Sequence, residues 1–255
     1  MNNTFLWVMG LCCAGSLLSV GAAGVYLLLP ERTREKSVEY LLGFAIGMLL
    51  GAGFLHLLPQ AIKQARDSTE GLMGTALFAI LVFFVLEKGL IWRHHHHHGG
   101  HDHDGGHEHP AGTLILIGDS VHNFMDGILI AAAFLADPDL GVVTALAVIA
   151  HEVPQELGDF AILLHSGYTR ARAFLFNALS SLAMILGAVL AWFTLSRIDW
   201  LIPYLLTFTA ASFIYVAMSD LMPALNRKIG LKDTAIQITL ITSAIGLNLL
   251  IHAVK

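Results

Sequence analysis

Charge is what this chain most lacks. Asp, Glu, Lys and Arg make up 13% of its 255 residues, about half the share found in soluble domains. That scarcity excludes a water-soluble globular fold. Cysteine is nearly absent as well: Cys12 and Cys13 are adjacent, which argues against a disulfide framework and says little about redox compartment. No Lys or Arg precedes the first apolar run, so a secretory leader with a basic n-region is not expected, and the run is read as a first membrane span. No G-x-x-x-x-G-K-[ST] string is present, so nothing points to ATP as an energy source. No nucleic-acid partner is expected, and the net charge of -5 is less informative than where the charges fall.

What is present is apolar. Hydrophobic residues make up 56% of the chain and gather into runs of the roughly 20 residues that a helix needs to cross a bilayer. Eight such runs lie at about 4–29, 38–61, 71–92, 112–136, 139–165, 172–195, 199–224 and 233–254. The expected fold is therefore all-α, one integral membrane domain over residues 1–255, with the lipid bilayer as its surroundings.

Loop charge gives the orientation. With eight spans, one side receives Arg32, Arg34, Lys36, Lys88, Arg93, Arg170, Arg172, Arg227, Lys228 and Lys232. The other receives Lys63, Arg66, Arg197 and Lys255. The richer side is predicted to be cytoplasmic and both termini extracytoplasmic; an odd number of spans would destroy the segregation. Short loops suggest a prokaryotic plasma (inner) membrane.

One long interruption breaks the pattern. "RHHHHHGGHDHDGGHEHP", residues 93–110, holds nine of the fourteen histidines: His94, His95, His96, His97, His98, His101, His103, His107 and His109. His, Asp, Glu and Gly cannot bury a core, so residues 93–111 are expected to form a flexible, metal-attracting cytoplasmic loop. A purification tag is discounted because the run is internal and interleaved with acids. A fainter pattern is the echo between "HLLPQA" at 56–61 and "DLMPAL" at 220–225, on spans of opposite direction. It hints at inverted repeats, with chance similarity of equal weight.

The polar residues inside the spans carry the chemistry. In span four, "GDSVHNFMDG" places Asp119, His122, Asn123 and Asp126 at i, i+3, i+4 and i+7, one stripe of a helix. In span five, "HEVPQELGDF" places His151, Glu152, Gln155, Glu156 and Asp159 on a similar stripe. A charge at the bilayer centre costs between about 3 and more than 10 kcal/mol, so the two stripes must face each other and something positive. Imidazole, amide and carboxylate together suit a divalent transition metal such as zinc, iron or manganese. A merely hydrogen-bonded polar core would need about one such residue per helix, not nine. Pro154 removes an N–H and frees the Ala150 carbonyl beside the cluster.

Isolated polar residues weigh less. His56 is read equally as an interfacial residue and as a ligand on the way in, and Asp220 is ambiguous. Glu87 with Lys88 is read as a snorkelling pair, and His165 and His252 as interfacial. An enzymatic alternative starts from His151-Glu152, which fits half of the H-E-x-x-H zinc-hydrolase signature. Gln155 stands where the second histidine belongs and Pro154 lies inside the motif, so a transporter fits better: it also accounts for the surplus ligands and the His-rich loop.

At these residues the chain resembles the ZIP (Zrt-/Irt-like protein) family of divalent metal transporters. "HNFMDG" is similar to the family's H-N-x-x-[D/E]-G motif, and "HEVPQELGDF" to its H-E-x-P-H-E-x-G-D-F motif. "HLLPQA" and the His-rich loop extend the likeness over most of the chain. The resemblance implies eight helices in a 3+2+3 arrangement with both termini outside, agreeing with the charge count. It implies uptake of Zn2+, and in members also Fe2+, Mn2+ or Cd2+, through a binuclear centre by alternating access; a homodimer is compatible with it. Carried over by motif position, one site uses His122, Asp126, His151 and Gln155, and the other Asn123, Asp126 and Glu152, with Gln155 as a further donor. Two departures stand out. Gln155 is a neutral amide where many members have His, or Glu in another version of the motif. Met184, in "AMILGA", stands where some branches have a carboxylate.

Overall fold

A computed structural model describes residues 3–26, 30–65, 69–95, 110–225 and 230–253. Among them every regular element is helical. Eight long helices follow in order. α1 is Asn3–Tyr26. α2 runs from Glu31–Gly51 through a π-helical segment, Ala52–Leu57, into Leu58–Gln64. α3 is Thr69–His95, α4 Pro110–Ala136, α5 Pro138–His165 and α6 Arg170–Leu195. α7 runs from Ile202–Tyr215 through a second π segment, Val216–Leu221, into Met222–Leu225; α8 is Leu231–Ala253.

Seven of the eight are long and apolar enough to cross a membrane. The exception is α4, whose apolar content is diluted by Asp119, His122, Asn123 and Asp126. The segment from residue 96 to 109 lies outside the described residues, and with it His96, His97, His98, His101, His103, His107 and His109 of the expected loop. That loop is shorter than the expected 93–111 at both ends, because α3 continues through His94 and His95 and α4 begins at Pro110.

Local chemistry sets the joints. α4 and α5 are separated by the single residue Asp137, whose Oδ1 accepts the Asp139 and Leu140 amides at 3.0 and 3.1 Å. With Pro138 at the first helical position, this is a standard helix start, and its brevity forces α4 and α5 to lie antiparallel side by side. α5 ends at Gly167, whose φ of 87° favours a residue without Cβ. Tyr168 N donates to Leu163 O and Gly167 N to Leu164 O, each at 3.1 Å, the paired closure of a Schellman motif. Thr169 then caps α6, accepting the Arg172 amide at 3.4 Å.

The packing is two-fold in pattern. α4 and α5 lie together at the centre. α4 packs most extensively on α6, and α5 on α1; α5 also meets α2, and α4 meets α7; α2 pairs with α8, and α7 with α3. Exchanging α1 with α6, α2 with α7, α3 with α8 and α4 with α5 leaves this set of pairings unchanged. The exchange also maps one π segment onto the other, and each precedes a proline, Pro59 or Pro223. In each, the residue that closes the segment donates its N–H five residues back, Leu58 to Gly53 O and Met222 to Ala217 O. The echo of "HLLPQA" in "DLMPAL" therefore has a structural counterpart.

The core is apolar and close-packed, with Ile46, Met48, Leu49, Leu57, Leu129, Ile130, Leu206 and Phe213 among its fully buried members. The outer helices do the reverse: α3 exposes Met73, Leu77, Phe78, Leu81, Phe84 and Val85. Such a surface is stable against lipid, not water. The closest backbone approach is between α4 and α6. A Cβ built on Gly127 would strike the Met184 carbonyl oxygen, and one on Gly187 would strike the Phe124 carbonyl oxygen. Glycine at both positions lets the helices touch main chain to main chain.

Candidate metal centre

The short α4–α5 turn sets the two polar stripes against each other. His122 and Asp126, one turn apart on α4, meet His151 and Glu152 of α5. His122 Nε2 lies 3.1 Å from His151 Nε2 and 3.6 Å from Asp126 Oδ2. His151 Nε2 lies 3.1 Å from that same oxygen, and Glu152 Oε1 is 3.8 and 3.9 Å from the two imidazole nitrogens. All four donor atoms fall within 4.8 Å of one another. Four ligands around zinc at about 2.0–2.2 Å would be separated by roughly 3.4 Å along the edges of a tetrahedron. The observed separations bracket that value.

Hydrogen bonds behind the donors turn them inward. His151 Nδ1 is 3.1 Å from Ala147 O; donating its N–H there leaves the Nε2 lone pair facing Asp126 and His122. Asn123 Nδ2 donates to Asp119 Oδ1 at 3.0 Å and to the Asp119 carbonyl at 3.3 Å. Its own Oδ1 is buried with no hydrogen-bond partner, as are both Glu152 oxygens. His122 is part-exposed while His151, Asp126 and Glu152 are buried, so the cluster is closed on all sides but one. Buried acceptors without donors are costly. A cation satisfies several of them together.

The remaining residues of the sequence reading fall around this centre. Gln155 stands beside the Asp119 carboxylate, with Ser180 of α6 on the same group. Glu156 is fully buried, and Asp119 and Asp159 both lie within its electrostatic reach. His56 is buried in the first π segment instead of lying at an interface, its Nε2 3.1 Å from Asn248 O of α8. The Asp220 backbone belongs to the second π segment; its side chain and those of Glu87, His165 and His252 lie outside the described residues. Two residues were missed. Cys12 of α1 is buried within electrostatic reach of Asp126, and Asn177 of α6 donates to Glu156 O at 3.3 Å. For Asn177 a signal existed: an amide followed by Ser180 and Ser181 on one apolar helix.

The model of the ZIP zinc transporter family matches residues 5–114 and 93–252. The chain belongs to the ZIP family. Curated relatives agree: zinc transporter ZIP13 of Pongo abelii is 33% identical over 86% of this chain and 70% of its own length. Zinc transporter zipt-7.2 of Caenorhabditis elegans is 30% identical over 98% of this chain and 66% of its own. Zinc transporter ZIP10 of Homo sapiens is 36% identical over 52% of this chain and 17% of its own. The chain is thus a multi-pass membrane protein of a zinc-transporting family, and the names of its relatives are those of transporters, not enzymes. Within the ZIP fold, Met184 is fully buried, its sulfur 3.8 Å from where a Cβ on Gly15 would lie. The thioether fills the α1–α6 contact at the position where some branches carry an acid.

Proposed function

We propose that this ZIP protein carries divalent transition-metal cations, zinc foremost and Fe2+, Mn2+ or Cd2+ as alternatives, towards the cytoplasm across a plasma membrane. The ion binds between α4 and α5. His122, Asp126, His151 and Glu152 hold it, and Asn123 and Gln155 complete a second position that shares Asp126, giving a binuclear centre. The observation that carries this reading is the four-donor cluster: three of its residues are buried, and its four donor atoms lie within 4.8 Å of one another.

The mechanism follows from the donors. A hydrated ion reaching the part-exposed His122 exchanges water for imidazole and carboxylate, so that its dehydration is offset by ligand bonds. The centre then opens to the other side as α4 and α5 shift relative to α2 and α7, the alternating access expected of repeat-built transporters. Flow down a gradient needs no nucleotide. The neutral amide at Gln155 binds zinc less strongly than imidazole, which favours release over retention.

Purified protein in liposomes holding a zinc-sensitive dye tests the proposal. Zinc added outside should raise the internal signal, and Asp126→Asn should reduce the initial rate by at least about tenfold, since even outer-shell changes at metal sites cost 10–100-fold. An unchanged rate would sink the assignment of the centre. Deleting residues 94–109 should alter ion release more than the core flux, because the His-rich segment is read as a receiver. Complete loss of transport would place the segment in the pathway itself.

A further inference from the structure

One helical turn from the four-donor cluster, toward the N-terminal end of α4 and the C-terminal end of α5, three helices carry buried side-chain oxygens without hydrogen-bond partners. Asp119 precedes Asn123 by one turn on α4, and Glu156 follows Glu152 by one turn on α5. Because α4 and α5 are antiparallel, both steps lead the same way, by about 6 Å at 1.5 Å per residue. Glu156 is fully buried, and neither of its carboxylate oxygens has a hydrogen-bond partner. Asp119 uses Oδ1 to hold the Asn123 amide at 3.0 Å, while its Oδ2 has none.

The independent observation comes from α6. Asn177 is fully buried. Its Nδ2 donates to Glu156 O at 3.3 Å, which ties the residue to this turn of α5, and its carbonyl accepts Ser180 Oγ of its own helix at 2.9 Å. Its Oδ1 is nevertheless buried with no partner. Asn177 is thus held against Glu156, Asp119 lies within electrostatic reach of Glu156, and each of the three side chains keeps a buried oxygen without a hydrogen-bond partner. Carboxylates and an amide oxygen satisfy one another only by taking up a proton, whereas a metal cation satisfies them directly.

We infer that Asp119, Glu156 and Asn177 form a second cation site, made of oxygen donors alone, through which the ion passes between the four-donor centre and the end of the bundle where α4 begins and α5 ends. The inference rests on the proposed transport centre as the ion's preceding stop. Hard carboxylate and amide oxygens without imidazole suit Mn2+ and hold zinc less well. A step on a conduction path must be favourable enough to enter and weak enough to leave. An all-oxygen site after a nitrogen-rich one meets that requirement for zinc, and it gives manganese a longer stay.

The test is Mn2+ binding to the full-length protein in detergent, its nine loop histidines between His94 and His109 replaced by glutamine, followed by electron paramagnetic resonance with pulsed detection of imidazole nitrogen. This parent should hold two populations of bound Mn2+, one coupled to imidazole nitrogen and one not. Glu156→Gln should remove the uncoupled population and spare the coupled one. The double variant His122→Ala/His151→Ala should do the opposite. Asn177→Asp, which keeps the oxygen and adds charge, should tighten the uncoupled population about tenfold. If Asn177 merely clamps the Glu156 carbonyl through Nδ2, that variant will bind no more tightly, and the site is overturned. It is equally overturned if Glu156→Gln removes no ion or removes both populations together. Persistence of imidazole coupling in the double-histidine variant would instead refute the transport centre, leaving the Glu156 result to be read on its own.

Discussion

His122 and His151 present their Nε2 atoms to each other at 3.1 Å across the α4–α5 seam, with ring planes at 87°. With His122 as donor and His151 as acceptor this is a hydrogen bond, and a metal ion between the two nitrogens would take the place of its proton. The first prediction follows. His151→Ala should weaken zinc binding by at least about tenfold, because it removes the donor nearest to both His122 and Asp126. Isothermal titration of the purified protein with zinc measures it. An affinity equal to wild type would mean that the histidine pair is a structural contact.

The second prediction concerns the α4–α6 contact. Gly127→Ala and Gly187→Ala each drive a methyl group into a carbonyl of the facing helix, an overpacking that costs typically 1–3 kcal/mol and more when backbone must move. Either variant should lower the unfolding temperature in detergent. Gly10→Ala and Gly74→Ala, where a Cβ meets nothing within 4 Å, should be neutral or stabilising, by up to about 1 kcal/mol on helix propensity. Equal effects at all four positions would refute the close approach.

The third concerns Gln155. Gln155→His replaces a weak amide donor by imidazole, the better zinc ligand. Zinc affinity should rise, by about tenfold if one ligand bond worth about 1.4 kcal/mol is gained. The maximal transport rate should fall as release slows. Titration and liposome flux on the same preparation give the two numbers; faster transport with weaker binding would contradict the argument.

A fourth lies at the turn that aligns the two stripes. Asp137→Ala removes the cap that accepts the Asp139 and Leu140 amides, at a cost of about 0.5–2 kcal/mol. Asp137→Asn, which can still accept, should retain most of the stability. Thermal unfolding of the three proteins side by side checks the order.

Much of this was legible in the chain, for reasons that differ by residue. The eight helices could be read because lipid demands apolar runs of fixed length, and their breaks because charge and Pro/Gly clusters interrupt those runs. The pairing of His122 and Asp126 with His151 and Glu152 could be read because ionisable groups in a membrane must find partners. Gly127 and Gly187 were not legible as a contact: a glycine in a helix announces neither its neighbour nor its distance. Asn177 was passed over because one amide on an apolar helix is satisfied as readily by a hydrogen bond as by an ion. The π segments left only the trace of His56 and Asp220, each three residues before a proline, because one surplus residue in a turn does not disturb hydrophobic periodicity. Of the two readings of His56, interfacial residue or ligand on the way in, its enclosure by the widened turn and Asn248 of α8 weighs against the first.

The glycine contact restricts how the bundle can deform. Helices separated by a layer of side chains slide when those side chains change rotamer. Backbones in direct contact have no such layer to shear, so α4 and α6 are welded for any displacement along their axes. An excursion of α4 must take α6 along as cargo, and the give in the molecule has to be found at the seams toward α2 and α7, where each helix holds one residue of slack in its π turn.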